Sequence, residues 1–264
     1  MATVLPLGPA CVHFGGVTDV GRVRSGNEDA FLIARDLPLC IVADGMGGHA
    51  SGEVASRIAV DSIAAHFIAS EADEPPTWPF RPQHGDIVAA RMATAVKLAN
   101  IRIFEAANND PACKGMGCTL ETLFFSRGYY FVGHVGDSRV YRWRRGRLEQ
   151  LTADHSLLND YRHMRDMSPE EIASFPHKNV VVRALGLADS VKVDVVSDVY
   201  EVGDLFMLCS DGLTDMIEDR EVHAIIEDHL EAGVERISAE LVDAANRAGG
   251  KDNITAVVAR IETP

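Results

Sequence analysis

The chain has 264 residues, 47% of them hydrophobic and 24% charged, with a net charge of −14. That composition belongs to a folded globular protein with a core of good size, not to a disordered chain. So acidic a balance argues against a nucleic-acid binder and against docking on an anionic membrane, and it suits a site where carboxylates hold cations.

Met1 to Gly15 lacks a basic leader before an apolar stretch and is interrupted by Pro6 and Pro9, so no signal peptide is expected. Cys11 to Asp19 alternates loosely and reads as a strand, followed by a polar loop from Val20 to Asp29. Ala30–Ala34 is a short apolar strand, and Asp36-Leu37-Pro38 turns the chain into a second strand, Leu39–Asp44. A hairpin of these two would set Asp29 near Asp44. Asp44-Gly45-Met46-Gly47-Gly48-His49 then presents an acid, a bare backbone and an imidazole at a strand end.

Gly52–Ala69 has apolar residues at helical spacing, as does Ile87–Ala107; between them Glu71–Asp86, with four prolines, reads as an exposed loop. Met116–Ser126 and Tyr129–Val135 are expected as strands about a tight Arg127-Gly128 turn, and Val140–Trp143 and Arg147–Gln150 as strands about another. His155–Phe175 is polar and partly helical from Ser168, while Val180–Leu185 and Val191–Val199 are apolar and β-branched. Asp204–Cys209 is an apolar strand ending at Ser210-Asp211-Gly212. Amphipathic helices follow at Asp219–Leu230 and Val234–Ala248, then Gly249–Asn253 and a last strand, Ile254–Ile261.

Strands, two helices, more strands, two helices and a strand make an α+β protein, with helix pairs covering stacked antiparallel sheets. No linker or repeat breaks the chain, so one domain over 1–264 is expected. The five cysteines, Cys11, Cys40, Cys113, Cys118 and Cys209, form no CxxC pair, and a reducing compartment, the cytoplasm, is the expected location. No run of about 18 apolar residues occurs, so no membrane insertion is expected.

Five places deliver an aspartate from an apolar strand or a glycine-rich turn: Asp29, Asp44, Asp137, Asp211 and Asp252. Converging carboxylates about 5 Å apart would repel by roughly 3 kcal/mol per pair at an effective dielectric of about 20. A divalent cation removes that cost, and all-oxygen donors favour Mg²⁺ or Mn²⁺ over zinc. Two cations sharing a carboxylate would make a bridging water nucleophilic and neutralise a phosphate. Arg24 could clamp such a phosphate and His49 could protonate a departing alkoxide; taken singly, Arg24 reads better as a solvated charge and His49 as a hydrogen bonder at a helix start.

Eight ordered motifs, RVRSGNED (22–29), VADGMGGHASGE (42–53), MGCTL (116–120), VGHVGDSRVYR (132–142), LTADHS (151–156), VVRALG (181–186), CSDGLTD (209–215) and GGKDNIT (249–255), cover nearly the whole chain. Together they resemble the metal-dependent protein serine/threonine phosphatases of the 2C class, bacterial branch. The resemblance implies a four-layer α-β-β-α sandwich and a binuclear Mg²⁺ or Mn²⁺ centre, with a third, weaker metal in bacterial members. It makes Asp44 the bridging ligand, Gly45 a backbone-carbonyl ligand of the second metal, Asp211 and Asp252 ligands of the first, and Asp29 the holder of second-metal waters. It gives Asp137 to the third metal, Arg24 to the phosphate and His49 to the general acid. A mobile flap is implied at about 155–185. The substrates implied are phosphorylated proteins, the usual counterpart a Ser/Thr kinase, and the expected state a monomer. A binding module without turnover, or a hydrolase of other phosphate esters, are the alternatives.

Overall fold

The computed structural model describes residues 3–47, 51–69, 84–164, 167–168, 171–172, 175 and 180–264. In chain order these form β1 (Thr3–Pro6), β2 (Cys11–Asp19), β3 (Asp29–Ile33), β4 (Leu39–Met46), α1 (Ser51–Ala69), α2 (His84–Asn109), β5 (Gly117–Cys118), β6 (Leu120–Ser126) and β7 (Tyr129–Val135). They continue as β8 (Arg139–Arg144), β9 (Arg147–Gln150), α3 (Leu157–Met164), β10 (Asp194–Val199), β11 (Leu205–Cys209), α4 (Asp211–Thr214), α5 (Asp219–His229), α6 (Val234–Arg247) and β12 (Ile254–Glu262).

The strands make two antiparallel sheets, one ordered β1-β2-β12-β11-β8-β9, the other β10-β7-β6-β4-β3 with β5 added on β4. Side chains alternate across a strand, so each central strand feeds two different cores. In β4, Leu39, Ile41 and Ala43 pack with Ile63 and Phe67 of α1 and Met92 and Val96 of α2. Cys40 and Val42 point the other way and meet Phe206, Leu208 and Val257 of the facing sheet. In β11, Leu205, Met207 and Cys209 pack under Val222 and Ile226 of α5 and Ile237 and Leu241 of α6. Three cores between four layers constitute the α-β-β-α sandwich. Strands covered on both faces explain why their sequences run apolar without a break.

Two hairpins are set by their turns. Arg127 and Gly128 have φ of 49° and 87°, and Arg145 and Gly146 have 52° and 76°. Positive φ at both central residues is the type I′ turn that matches strand twist.

Several local expectations change. The sequence predicts no element before Cys11, yet Thr3–Pro6 forms β1, with Pro6 at the sheet edge where a missing N–H is tolerated. The stretch from Met116 divides at Thr119 into β5 and β6, because Cys118 turns to pair with Leu185. Val180–Leu185 makes only isolated bridges, at Val181 and Leu185, and no strand. Asp86 belongs to α2, and most of the proline-rich stretch before it lies outside the described residues. In the flap region α3 forms ahead of Ser168; of the stretch expected to be partly helical from Ser168 much lies outside the described residues, and Ile172 N–H donates to Ser168 O at 3.0 Å.

Candidate metal centre

The gap between the sheets is apolar along most of its length and turns polar at one end. The change follows single strands two residues at a time: Phe31 gives way to Asp29, Val42 to Asp44, Leu208 to Ser210 and Val257 to Thr255. The period of two keeps these polar side chains on the inward face. Asp29 and Asp44 are direct partners across the β3–β4 ladder, an arrangement of like charges that costs stability unless something offsets it.

Asp29 is buried, and its Oδ2 accepts from Thr255 Oγ1 at 2.6 Å and from Ser210 Oγ at 2.8 Å. Its Oδ1 is buried with no hydrogen-bond partner among the described residues. Asp44 is half-buried and is fixed through its backbone: its N–H donates to Thr119 Oγ1 at 3.1 Å and its carbonyl accepts from Thr119 N–H at 2.8 Å. Thr119 Oγ1 also bonds Ser138 Oγ at 2.7 Å, beside Asp137. Gly45 must be glycine, since a Cβ there would lie 2.2 Å from Gly52 O and 2.5 Å from Glu28 O. The start of α1 therefore packs directly on the backbone after Asp44.

Asp211 opens α4 at the end of β11. Asp252 lies in the turn before β12, where Asn253 ties the β2–β3 loop in place. The Asn253 amide donates to Val20 O at 3.0 Å and Gly26 O at 2.9 Å and accepts from Glu28 N–H at 2.8 Å. That loop carries Arg24, whose Nη2 donates to Asp252 Oδ2 at 2.6 Å. Asp137, buried, sits in the turn between β7 and β8.

Burial pushes all four inner acids up, and neighbouring carboxylates push them further. Asp29 rises to about 7, held back by its two hydroxyl donors; Asp137 rises to about 7 and Asp211 to about 6. Asp44 stands well above the usual carboxylate range, by burial and then by Asp29, Asp211, Asp137 and Asp252. Among the described residues no three His, Cys, Asp or Glu side chains close into a ready-made ligand cluster. The set is instead a group of mutually repelling carboxylates, with an orphaned buried oxygen on Asp29 and bare backbone at Gly45. All-oxygen donors with an unbalanced negative charge fit hard divalent cations. His49 lies outside the described residues.

The comparisons with known proteins agree. The family model for protein phosphatase 2C matches residues 22–245. The chain belongs to the protein phosphatase 2C family. It is 34% identical to the serine/threonine phosphatase stp of Listeria welshimeri, over 91% of this chain and 92% of that one. Its fold is similar to the serine/threonine phosphatase PstP/Ppp of Mycobacterium tuberculosis, with a TM-score of 0.82, 32% identity and 95% and 99% of the two chains covered. A structure of the PstP catalytic domain with two manganese ions matches at a TM-score of 0.77 and 30% identity, over 95% and 98% of the chains.

In this family member the residues that position the acids were less legible than the acids. Thr255 within β12, and Ser210 and Thr119 just past the end of β11 and just before β6, are short hydroxyl side chains on the inward parity, next to apolar runs. Their signal is parity: each falls where the alternation calls for an apolar residue. A cavity of about 550 Å³ lined by His13, Arg260 and Glu262 is at the far end of the β2–β12 ladder and holds none of the acids.

Proposed function

We propose that the chain hydrolyses phosphoserine and phosphothreonine in proteins, with Mg²⁺ or Mn²⁺ held by its acidic end. The observation that carries this is the convergence of Asp29, Asp44, Asp137 and Asp211 from separate strand ends, with no cationic side chain at ion-pair distance among the described residues. When bound, the cations neutralise these carboxylates and the phosphate and make water nucleophilic at neutral pH. Asp44 would bridge two of them, with the Gly45 carbonyl on the second and Asp211 and Asp252 on the first. Asp29 would hold water on the second metal, its Oδ2 being committed to Ser210 and Thr255 and its Oδ1 left for that task. Asp137 would serve a third, weaker metal.

The remaining steps belong to the chain. Arg24 is half exposed, at 53% of its side chain, so its fork can leave Asp252 and grip two phosphate oxygens. Phosphoryl transfer needs little beyond such positioning and charge neutralisation. His49 donates the proton that a serine or threonine alkoxide needs to depart. The protein works in the cytoplasm as a monomer and a single catalytic unit over 1–264, on phosphoproteins made by a Ser/Thr kinase, with substrate choice made at the flap. The names of its relatives and the manganese of the PstP structure support this reading, and no described helix is long and apolar enough to cross a membrane.

The test is turnover of a phosphoserine peptide by metal-stripped protein given Mn²⁺. Activity should require the metal and be lost in Asp211→Asn while the fold persists. Full activity in excess EDTA would contradict the reading.

A further inference from the structure

One imidazole joins the root of the flap to the turn that carries Asp137. Gly136 N–H donates to His155 Nδ1 at 3.0 Å. His155 Nε2 lies 3.0 Å from Asp194 Oδ2 and 2.8 Å from Arg183 Nη1, which is itself 3.2 Å from Asp194 Oδ1. A backbone amide can only donate, so Nδ1 must carry the lone pair and Nε2 the proton. That proton goes to Asp194 Oδ2; Arg183, which also can only donate, cannot bond the protonated Nε2 and is held instead by Asp194 Oδ1.

The main chain repeats the connection. His155 N–H donates to Gly136 O at 2.7 Å, and His155 O accepts from Val182 N–H at 2.9 Å. The ring is buried and lies against His134, with centroids 4.3 Å apart. Burial and then the neighbouring His134 lower its proton affinity to about 4, in keeping with a neutral ring. His155 touches no reacting group; it reaches Asp137 only through Gly136.

We propose that His155 is a positioning residue: Nδ1 fixes the Gly136–Asp137 turn, Asp194, held by Arg183, fixes the ring, and the two bonds together set how tightly Asp137 retains its metal. This rests on the reading of Asp137 as a metal acid. Outer partners of this kind typically change metal affinity by about 10- to 100-fold when removed.

Two substitutions divide the ring. His155→Asn places an amide oxygen where Nδ1 sits and keeps an acceptor for Gly136. His155→Gln places its amide where Nε2 sits, keeps the Asp194 contact and leaves Gly136 N–H without an acceptor. Mn²⁺ alone is titrated calorimetrically into metal-stripped full chain, and amide hydrogen exchange is read at Gly136. His155→Gln should weaken the weakest class of Mn²⁺ sites about tenfold or more and expose the Gly136 amide to exchange, while His155→Asn, which keeps the Gly136 bond and loses only the Asp194 tether, should weaken it no more than several-fold and leave that amide protected. Phosphopeptide turnover in His155→Gln should recover at saturating Mn²⁺.

Equal losses in Asn and Gln, or none in either, overturn the proposal. Asp137→Asn in the same titration tells two failures apart. If it leaves the weak class intact, the reading of Asp137 fails and the proposal falls with it. If it removes that class while His155→Gln does not disturb it, the role of His155 alone fails. Should His155→Gln not fold, Asp194→Ala carries the test, since that side chain is 38% exposed. Freeing the ring should weaken the same class several-fold, and unchanged affinity overturns the proposal.

Discussion

Two charged clusters share one end of the sheet gap and are built on opposite plans. Asp29, Asp44, Asp137 and Asp211 are acids among acids, each raising the others. A few residues away, Glu121 and His134 are cross-strand partners joined by a short hydrogen bond, and His155 and Arg183 both meet Asp194. His134 Nε2 also donates to Ala153 O at 2.9 Å, so among the described residues the acids of that cluster have basic partners, with Glu121 Oε2 alone left without a hydrogen bond. The contrast separates a site that needs a ligand from one that only holds the chain. An unbalanced buried charge costs several kcal/mol, and an arrangement that keeps four of them is explained by the cations they would bind.

The largest effect should come from breaking the acidic cluster. Asp44→Asn or Asp211→Asn is expected to lower Mn²⁺-dependent phosphopeptide turnover by more than about a hundredfold, beyond the loss usual for an outer partner. The same substitution removes a repelling charge. Metal-free Asp44→Asn should therefore melt above its metal-free parent, a gain in stability with a loss of function. Melting curves and initial rates on the same preparations decide it; a variant that is less stable when metal-free would mean the carboxylates are not in conflict.

His49→Ala comes next. The acids can supply charge but no proton donor suited to an alkoxide. Phosphoserine hydrolysis should fall by about 10²-fold or more, the range for a general acid, whereas nitrophenyl phosphate, with its good leaving group, should lose little. Equal losses on the two substrates would remove His49 from that role.

The paired cluster should fail differently. His134→Leu leaves Glu121 buried with neither oxygen partnered, since Oε2 already lacks one among the described residues. Breaking a buried pair from one side costs about 3–5 kcal/mol, measurable by urea unfolding. Glu121→Gln should cost far less, because the amide can donate to a neutral Nδ1 while Nε2 keeps Ala153. If both cost the same, the pair is held by charge rather than by hydrogen-bond matching.

This division also marks what the amino-acid sequence makes legible. An acid that ends an apolar run, as Asp44 and Asp211 do, breaks a pattern, and the break is visible without coordinates. The hairpin that pairs Asp29 with Asp44 follows from two short strands and a turn. Ser210, Thr255 and Thr119 were hidden because a small hydroxyl residue in or beside a strand is unremarkable until its face is known, and faces depend on which sheet stacks on which. The Glu121–His134 pair was hidden for the same reason, its members being thirteen residues apart on different strands. Helix α3 was missed because Leu157-Leu158-Asn159-Asp160-Tyr161 offers one turn of apolar residues and weak helix formers after it. It is placed by contacts, with Leu157 N–H on Val180 O and the Asn159 amide on Asp154 O.

The smallest effect is the dependence of metal-free stability on pH, because His155 offsets part of what the raised acids contribute. A carboxyl that rises on folding binds its proton more tightly in the folded chain. Its contribution is complete below about 3.9, the unfolded value, and is lost as pH climbs through the folded one, about 7 for Asp29 and Asp137 and about 6 for Asp211. Glu121, raised to about 7 by burial against the pull of His134, adds the same sign. His155 has the reverse sign: lowered from 6.5 to about 4, it contributes stability above 6.5 that is lost as pH falls through 4. The raised acids outnumber it, so the metal-free protein should melt lower at pH 8 than at pH 5. Mn²⁺ needs the carboxylates deprotonated, so the melting temperature it adds should be larger at pH 8, and its binding at pH 6 should release protons measurable as a buffer-dependent heat. In metal-free Asp29→Asn the slope between pH 5 and 8 should flatten, while in His155→Asn it should steepen. The opposite pair of changes would mean that the acids carry their charge without mutual conflict, and the contrast between the clusters would be lost.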